Sequence, residues 1–276
     1  MNLVPGTNAG HGRLLLLAPP DAFIAEEFAQ VEHNPHQHAN FLAKLQRLRG
    51  KAYLEDGAID RSEIESDGRY VQAADYGAWH LVSTDERDEV SGCARYIAHS
   101  GPVRYSETGV SGSPLSCSPE WSSRLRSAIT SEIALANRLG VDYVEVGGWA
   151  LAPEIRCTSD ALRIALAMFS LARLQGGCIG VTTATRRHCS ASILRRIGGQ
   201  SLMTNGMEIP PYFDPHYDCE MEILRFNSDT PNPRFERWIE ELKHHLSAVP
   251  VIQGGVHPNV YRHRVPVHHS SEMTAA

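Results

Sequence analysis

The chain has 276 residues, enough for one large or two small domains, and its hydrophobic content of 42% can supply a substantial core. A formal net charge of −6 argues against a nucleic-acid-binding protein. The six cysteines lack zinc-finger spacing, and the leucine run within residues 13–20 is too short for a signal peptide or a membrane span. This composition predicts a cytoplasmic protein with reduced thiols and no transmembrane segment.

The first part of the chain is expected to hold a loose segment and two helices. Residues 1–20 are predicted to be loosely ordered, and Asp21 can cap a helix over residues 22–28. Apolar residues at helical spacing predict a second helix over residues 39–56. Between them, the histidines of residues 33–38 surround a proline turn. Without a carboxylate or cysteine partner they favour a solvated loop, so no metal site is predicted.

A hairpin and a long connection are predicted next. Residues 78–84 and 90–99 have the pattern of two antiparallel strands joined by a charged turn. The connection over residues 101–119 is rich in Ser, Gly and Pro, and its length indicates a lid or binding loop. A helix over residues 120–140 is expected to end at Gly140.

Strands and helices alternate in the remaining chain. Strands are predicted from residue 143, over 178–185 and over 218–226, and helices over 159–175, 190–198 and 231–246. This order predicts one α/β domain over residues 21–250 with a mixed sheet. Residues 251–276 are predicted to be a flexible tail.

The strand that begins at residue 143 carries the most informative chemistry. A carboxylate in an apolar strand is costly unless it is paired or faces a cleft, so Glu145 is a candidate general base. Gly147 and Gly148 permit a bulge and a gap that would admit an extended ligand. Residues 154–162 offer an arginine, hydroxyls and a helix start that could hold phosphate, and together these features describe a phosphopantetheine site. A structural ion pair, an ordinary bulge and an ordinary N-cap explain the same residues equally well.

Several motifs in this order resemble the GNAT superfamily of N-acyltransferases, in particular the acyl-homoserine lactone synthases and the long-chain N-acyl amino acid synthases. They are "RGKAY" at residues 49–53, "SGCARY" at 91–96, "WALAPEIR" at 149–156 and "VTTATRRHCSASILRRIG" at 181–198. The resemblance implies a GNAT-like α/β fold, a mixed twisted sheet with a splayed central strand pair flanked by helices. It covers a little over half of the chain.

The resemblance also implies roles for individual residues. Glu145 falls at the strand glutamate that deprotonates the acceptor amine, and Arg95 at an arginine with acceptor or structural ion-pair contacts. The expected donor-binding residues are the backbone of Gly148, Trp149, Ala150 and Leu151 and the pyrophosphate loop Arg156, Cys157, Thr158, Ser159, Asp160 and Ala161. The expected substrate-binding residues are Arg49, Tyr53, Trp79, Thr183, Tyr212 and Tyr217.

Departures from the family pattern refine these expectations. The donor loop has Ser159 in place of the usual glycine and an acidic residue at position 160, which counts against tight binding of the CoA pyrophosphate and in favour of acyl carrier protein as the donor. A basic cluster of Arg186, Arg187, Arg195 and Arg196 is either a docking point for the acidic carrier or a solvated helix face. Lactone synthases carry an arginine at the position of Gly148 and paired aspartates, where this chain has Asp67 and Asp75 at other spacing. An amino acid or another amine is therefore favoured as the acceptor over lactone synthesis.

The sequence as a whole predicts an N-acyltransferase that moves a medium or long acyl chain from acyl carrier protein or acyl-CoA to the amine of an amino acid or similar molecule. No permanently bound cofactor is expected. The alternatives are an acyl-homoserine lactone synthase and a non-catalytic acyl-binding module. An acyl intermediate on Cys157 or Cys189 is disfavoured because direct transfer needs no nucleophile, and His80 is interpreted as a satisfied sheet histidine.

Overall fold

A computed structural model describes residues 12–99, 101–156 and 158–255. The strands are β1 Arg13–Ala18, β2 Gln30–His33, β3 Trp79–Thr84, β4 Val90–His99, β5 Asp142–Leu151, β6 Cys178–Thr185, β7 Gln200–Ser201, β8 Met203–Thr204, β9 Met207–Glu208, β10 Tyr212–Asp214, β11 Cys219–Asn227 and β12 Pro250–Gln253. The α-helices are α1 Pro35–Glu55, α2 Ser122–Leu139, α3 Ser159–Leu174, α4 Ser190–Ile197 and α5 Glu236–Leu246.

Ten of these strands form one mixed sheet in the described part of the chain. The order is β10-β11-β6-β5-β4-β3-β1-β12-β2, with β7 added to β11, while β8 and β9 form a separate hairpin. Strand β5 is parallel to β6, and β12 is parallel to both β1 and β2, whereas the other pairs are antiparallel. The expected mixed α/β architecture is confirmed.

The central parallel pair separates along its length. Strands β5 and β6 are in register from Asp142 opposite Cys178 to Val146 opposite Thr182, and the pairing then stops although both strands continue. On its other edge β5 stays paired with β4 as far as Leu151. The strands therefore splay beyond Val146, as the resemblance implied.

Helices cover both faces of the sheet because the strand side chains alternate between two apolar faces. On one face, Leu14 and Leu16 of β1 pack in a core with α3 and α5. On the other, Leu15 and Leu17 pack with α1, and a separate core beneath α2 includes Tyr143 of β5. The run of leucines is thus a central strand buried on both sides, which explains its lack of polar alternation.

Strands β1 and β12 place the ends of the domain outside the predicted bounds, residues 21–250. Strand β1 lies within residues 1–20, and residues 251–253 of β12 lie within the predicted tail, yet both strands are paired in the sheet. The domain therefore extends beyond both predicted boundaries, because these segments gain backbone partners that are distant in sequence. The remaining parts of those two segments, residues 1–11 and 256–276, lie outside the described residues.

The predicted elements near residues 21–38 are wrong. Residues 22–28 form no helix: Glu26 and Glu27 make a turn, and the other positions have an irregular backbone. The predicted histidine loop is the start of α1, because Asn34 caps the helix by accepting the Gln37 N–H at 3.0 Å and Pro35 fits its first turn. His38 is consequently buried, and burial lowers its pKa to about 4.

The other predicted elements are confirmed within a few residues. The hairpin forms from β3 and β4, and α2 ends at Gly140, whose φ of 70° is the left-handed conformation of a helix C-cap. Residues 105–117 of the long connection fold into three successive 3₁₀ turns. Among the described residues, none of the helices is both long and apolar enough to cross a bilayer.

Candidate active site

A cavity of about 740 Å³ lies where β5 and β6 separate. Its wall includes Val146 and Gly147 from β5 and Thr182 and Thr183 from β6. Since consecutive strand residues point to opposite faces, the cavity reaches both sides of the sheet through the gap between the strands. It can therefore bring a ligand from one face into contact with a group on the other.

The wall on the α3 side of the sheet is apolar, and we term it the apolar chamber. Its members are the side chains packed with the α3 core or adjoining it: Ala94, Val146, Trp149, Ala165, Met168, Phe169, Leu194, Ile197 and Phe226. This composition suits a hydrocarbon chain.

The wall on the opposite side is polar, and we term it the polar chamber. It consists of Tyr53, Gln72, Arg95, Gly109, Ser113, Glu145, Gly147, Thr183, Tyr212 and Tyr217. Strand register explains the central part, because Arg95 is opposite Gly147 and Ile97 is opposite Glu145. Arg95 and Glu145 are therefore diagonal neighbours on one face, with the side-chain-free Gly147 between them.

Glu145 is half-buried and firmly held. Its Oε1 atom lies 2.9 Å from Nε2 of His99, which is at the end of β4. The Gly109 N–H donates to both carboxylate oxygens, at 3.0 Å to Oε1 and 2.8 Å to Oε2. The segment predicted to be a lid or binding loop thus contacts the candidate base directly.

A β-bulge follows Glu145 on the same strand. Cys93 of β4 is opposite Ala150 and Arg95 is opposite Gly147, so β5 has one more residue than β4 between these pairs. Gly148 takes up the difference with a φ of 61°. A Cβ atom there would lie 3.1 Å from Cβ of Arg95 and 3.3 Å from Nη1 of Arg49, so both the conformation and the close approach require glycine.

Two arginines and one aspartate form a buried ionic cluster beneath the polar chamber. Asp75 accepts hydrogen bonds from Nη1 of Arg49 at 2.9 Å and from Nη1 of Arg95 at 2.8 Å, and Nη2 of Arg49 contacts its second oxygen. Gln46 donates to the same carboxylate. Burial opposes ionisation of Asp75, but the two guanidinium groups outweigh it and hold the pKa of Asp75 well below its usual range.

His80 adjoins this cluster and is neutral. Its Nε2 atom lies 2.8 Å from the backbone oxygen of Asp75, and the side chain is fully buried. Burial lowers the pKa of His80 to about 4. The cluster therefore carries one net positive charge, from Arg49 and Arg95 against Asp75, and Arg95 presents that charge at the cavity wall.

Some predicted substrate residues line the cavity and others do not. Tyr53, Thr183, Tyr212 and Tyr217 are on its wall. Burial raises the pKa of Tyr53 to about 12, so its hydroxyl stays protonated at neutral pH. Arg49 lies behind the wall in the ionic cluster, and Trp79 stacks on Phe28 in the α3 core at 5.9 Å between ring centroids. These two residues take structural positions, in contrast to the prediction.

The described residues of the predicted donor loop lie outside the cavity wall. Arg156 donates to the Leu151 carbonyl at 3.2 Å and faces the carboxylates of Glu55 and Asp56 at 3.7 Å and 3.6 Å. Thr158 caps α3 by accepting the Asp160 N–H at 3.1 Å. Gly148 and Trp149 do line the cavity, whereas Ala150 is buried against the α1 core and Leu151 packs against the α3 core. Ser159 and Ala161 begin α3, and Cys157 lies outside the described residues.

Most of the predicted basic cluster is already paired. Arg186 contacts Glu220 at 2.9 Å and Glu222 at 3.2 Å, and Arg195 contacts Glu222 at 2.8 Å. Arg187 lines the cavity and donates to two backbone carbonyls, those of Asp56 and Asp218. Arg196 is exposed near the end of α4. Much of the positive charge expected for a docking surface is therefore neutralised locally.

Sequence reasoning did not identify His99, Gly109 and Gln72 as parts of this region. A signal for His99 was present in the sequence. Side chains alternate along β4, so His99 lies on the same face as Arg95, next to β5 and Glu145. Gly109 and Gln72 lie on irregular segments whose course a residue pattern does not define. Among the described residues, no group of histidine, cysteine and acidic side chains is arranged to hold a metal ion.

Comparison with known proteins gives a structural likeness only. No protein-family model matches the sequence, and no curated protein matches it by sequence. A structure of BjaI, a CoA-dependent acyl-homoserine lactone synthase, with SAM and isopentyl-CoA has a TM-score of 0.54 and 14% identity, covering 92% of this chain and 98% of that chain. BjaI with MTA has a TM-score of 0.53 and 15% identity over the same shares.

A third solved structure, FeeM, an N-acyl amino acid synthase from uncultured soil microbes, has a TM-score of 0.43 and 12% identity, covering 69% of this chain and 92% of that chain. At these levels of identity, likeness identifies a fold, and the two BjaI structures carry it. The chain therefore has the GNAT-like α/β fold of the acyl-homoserine lactone synthases.

Proposed function

We propose that the protein is an N-acyltransferase that moves an acyl group from a phosphopantetheine thioester to the amine of an amino acid or a similar small molecule. The observation that carries this proposal is the continuous cavity between the splayed strands, with an apolar chamber on one side and Glu145 in a polar chamber on the other. An acyl chain fits the first chamber and a polar acceptor the second, so the thioester carbonyl would lie in the gap between them.

The proposed reaction assigns a role to each group near the gap. The acceptor nitrogen attacks the thioester carbonyl carbon, the C–N bond forms and the carbonyl becomes an oxyanion. Backbone N–H groups near Gly148 and Trp149 stabilise that charge. The C–S bond then breaks and the sulfur leaves as a thiolate, while Glu145 accepts the proton lost by the nitrogen and passes it on to the thiolate, so that the free thiol is released.

The charges of the polar chamber support an amino acid as the acceptor. Glu145 is negative and Arg95 is positive, and they flank Gly147, beside which a Cβ atom would meet nothing within 4 Å. An α-amino acid carries its amine and its carboxylate on the same carbon, so it matches this pair of opposite charges. A simple amine has no carboxylate to balance the one net positive charge that Arg49, Arg95 and Asp75 carry together and that Arg95 presents at the cavity wall.

The donor is either acyl-CoA or acyl carrier protein. The fold neighbour BjaI is a CoA-dependent synthase. The pairing of Arg186 and Arg195 with glutamates weakens the case for a carrier protein at that surface, and the contacts of Arg156 with carboxylates weaken the case for a tightly held pyrophosphate. A competition assay that supplies acyl-CoA and acyl carrier protein in equal amounts, and measures how much product comes from each, would establish which donor the protein prefers.

Mass spectrometry of lipid extracts from cells that express the protein tests the proposal. We expect a new N-acylated amino acid that is absent from cells carrying the empty vector, and its mass identifies the acyl chain and the acceptor together. An acyl-homoserine lactone as the new product would contradict the amino acid acceptor. No new product from any amine, while the protein still binds an acyl-phosphopantetheine, would favour a non-catalytic acyl-binding module.

A further inference from the structure

Glu145 is oriented by groups from outside its own strand. His99, at the end of β4, and Gly109, in the connection between β4 and α2, supply all the hydrogen bonds described for the Glu145 carboxylate. The side chains of His99 and Glu145 are 18% and 12% exposed, so water competes little for this contact. Neither His99 nor any other histidine was expected to take part in the reaction.

The direction of the His99 hydrogen bond follows from the chemistry of the two groups. An ionised carboxylate has no hydrogen to donate, so the hydrogen in the 2.9 Å contact belongs to Nε2 of His99. The ring also lies 5.8 Å from that of Tyr143, between centroids, and has Glu107 and Asp142 as acidic neighbours. Tyr143 limits where the ring can move, so the Nε2–H group is held towards Glu145.

We propose that His99 is a positioning residue for the reaction, which fixes the carboxylate of Glu145 through the Nε2–H bond while Gly109 fixes it from the opposite segment. His99 is not among the described residues on the cavity wall, so it acts through Glu145 and not on the substrate. This role rests on the proposed function. Its physical basis is that a displacement of a catalytic group by about 1 Å can lower a rate by about 100-fold.

Gly109 is constrained in the same arrangement. A Cβ atom at this position would lie 3.0 Å from Oε2 of Glu145, closer than side chains normally approach. Alanine would therefore push the segment or the carboxylate away and lengthen the two N–H contacts. Glycine is needed here because the Gly109 backbone approaches the Glu145 carboxylate closely, and not because of an unusual backbone conformation.

Two substitutions of His99 separate its hydrogen bond from its bulk. Glutamine in its place would put an amide N–H near the position of Nε2, whereas leucine fills similar space without a donor. We expect His99→Leu to lower kcat by about 10- to 100-fold with little change in KM for the acceptor, and His99→Gln to restore most of the rate. Gly109→Ala should lower kcat as His99→Leu does. His244→Gln, at an exposed position on α5, is the control and should have the wild-type kcat and KM.

Equal losses for leucine and glutamine, or a rise in KM with kcat unchanged, would overturn the positioning role. A second measurement does not depend on activity: a double-mutant cycle of His99→Leu and Glu145→Leu, in which each single variant removes the contact, followed by urea unfolding. We expect the double variant to lose less stability than the sum of the two single variants. If the wild type acylates no amine, the proposed function fails while the cycle still tests the contact, and additive losses would refute the contact itself.

Discussion

Asp75 neutralises part of the charge of two buried arginines, Arg49 and Arg95, whose proximity is not evident from the sequence. Arg49 is fully buried on α1 and Arg95 is largely buried on β4, and two unpaired guanidinium groups so close together would be strongly unfavourable. The carboxylate lies between them and bonds to both. This explains why Asp75, whose spacing differs from the lactone-synthase pattern, is nevertheless held firmly beneath the polar chamber.

The two buried histidines predict how stability depends on pH. Burial lowers the pKa of both His38 and His80 to about 4, whereas the unfolded chain protonates histidine near pH 6.5. Between these values the unfolded state binds more protons, so stability is complete above about pH 6.5 and falls as the pH drops towards 4. The lowered pKa of Asp75 acts in the same direction only below the unfolded value of about 3.9.

Urea unfolding at pH 7 and pH 5 measures this effect. We expect each buried histidine to contribute about 2 kcal/mol to the fall in unfolding free energy between the two pH values. His80→Leu should therefore be less sensitive to pH than the wild type by about that amount. His244→Gln, which alters an exposed histidine, should keep the wild-type dependence, and equal dependence in all three proteins would show that His80 is not buried in its neutral form.

The two adjacent glycines of β5 are explained by different features of their surroundings. Gly148 adopts a left-handed conformation in the bulge and lies against Arg49 and Arg95, whereas a side chain on Gly147 would project into open space between Arg95 and Glu145. Gly148 is therefore required by the backbone, and under the proposed function Gly147 leaves room for the acceptor. The double glycine that interrupts an apolar strand is explained by these two separate demands.

Alanine substitutions distinguish the two glycines. Gly148→Ala should destabilise the protein by about 1–3 kcal/mol because of the positive φ and the contact with Arg95, measured by urea unfolding. Gly147→Ala should leave the unfolding free energy within about 0.5 kcal/mol of the wild type but raise the acceptor KM in a transfer assay. A large loss of stability in Gly147→Ala, with acceptor binding intact, would contradict this assignment.

Elements with strong periodic patterns were predictable, and those that depend on distant partners were not. The hairpin, α2, α3, β6 and β11 follow from apolar spacing and from end signals such as Gly140. Strands β2 and β12 are four residues each and form through pairing between segments more than 200 residues apart, which no local pattern records. The start of α1 was missed because a proline after asparagine was taken for a turn, although Pro35 occupies the first position of a helix.

The cavity depends on the arrangement of the whole sheet. Its polar chamber combines the β4–β5 pair with the 3₁₀ segment before α2, the end of α1 and the loop between β10 and β11. From the sequence, Glu145, Arg95, Thr183 and three tyrosines were placed in the site, and all of them line the cavity. The contacts of His99 and Gly109 with Glu145 were not foreseen, because they are set by side-chain geometry and by the course of an irregular segment.

A single-turnover transfer assay with the purified protein, an acyl thioester and an amino acid is the most direct test of this account. Wild type and Glu145→Gln are compared, and Glu208→Gln, at an exposed position on β9, serves as the matched control. We expect the wild type and the control to form the N-acyl product at equal rates and Glu145→Gln to be slower by at least about 100-fold. Transfer by Glu145→Gln at the wild-type rate would contradict the role of Glu145 as the base.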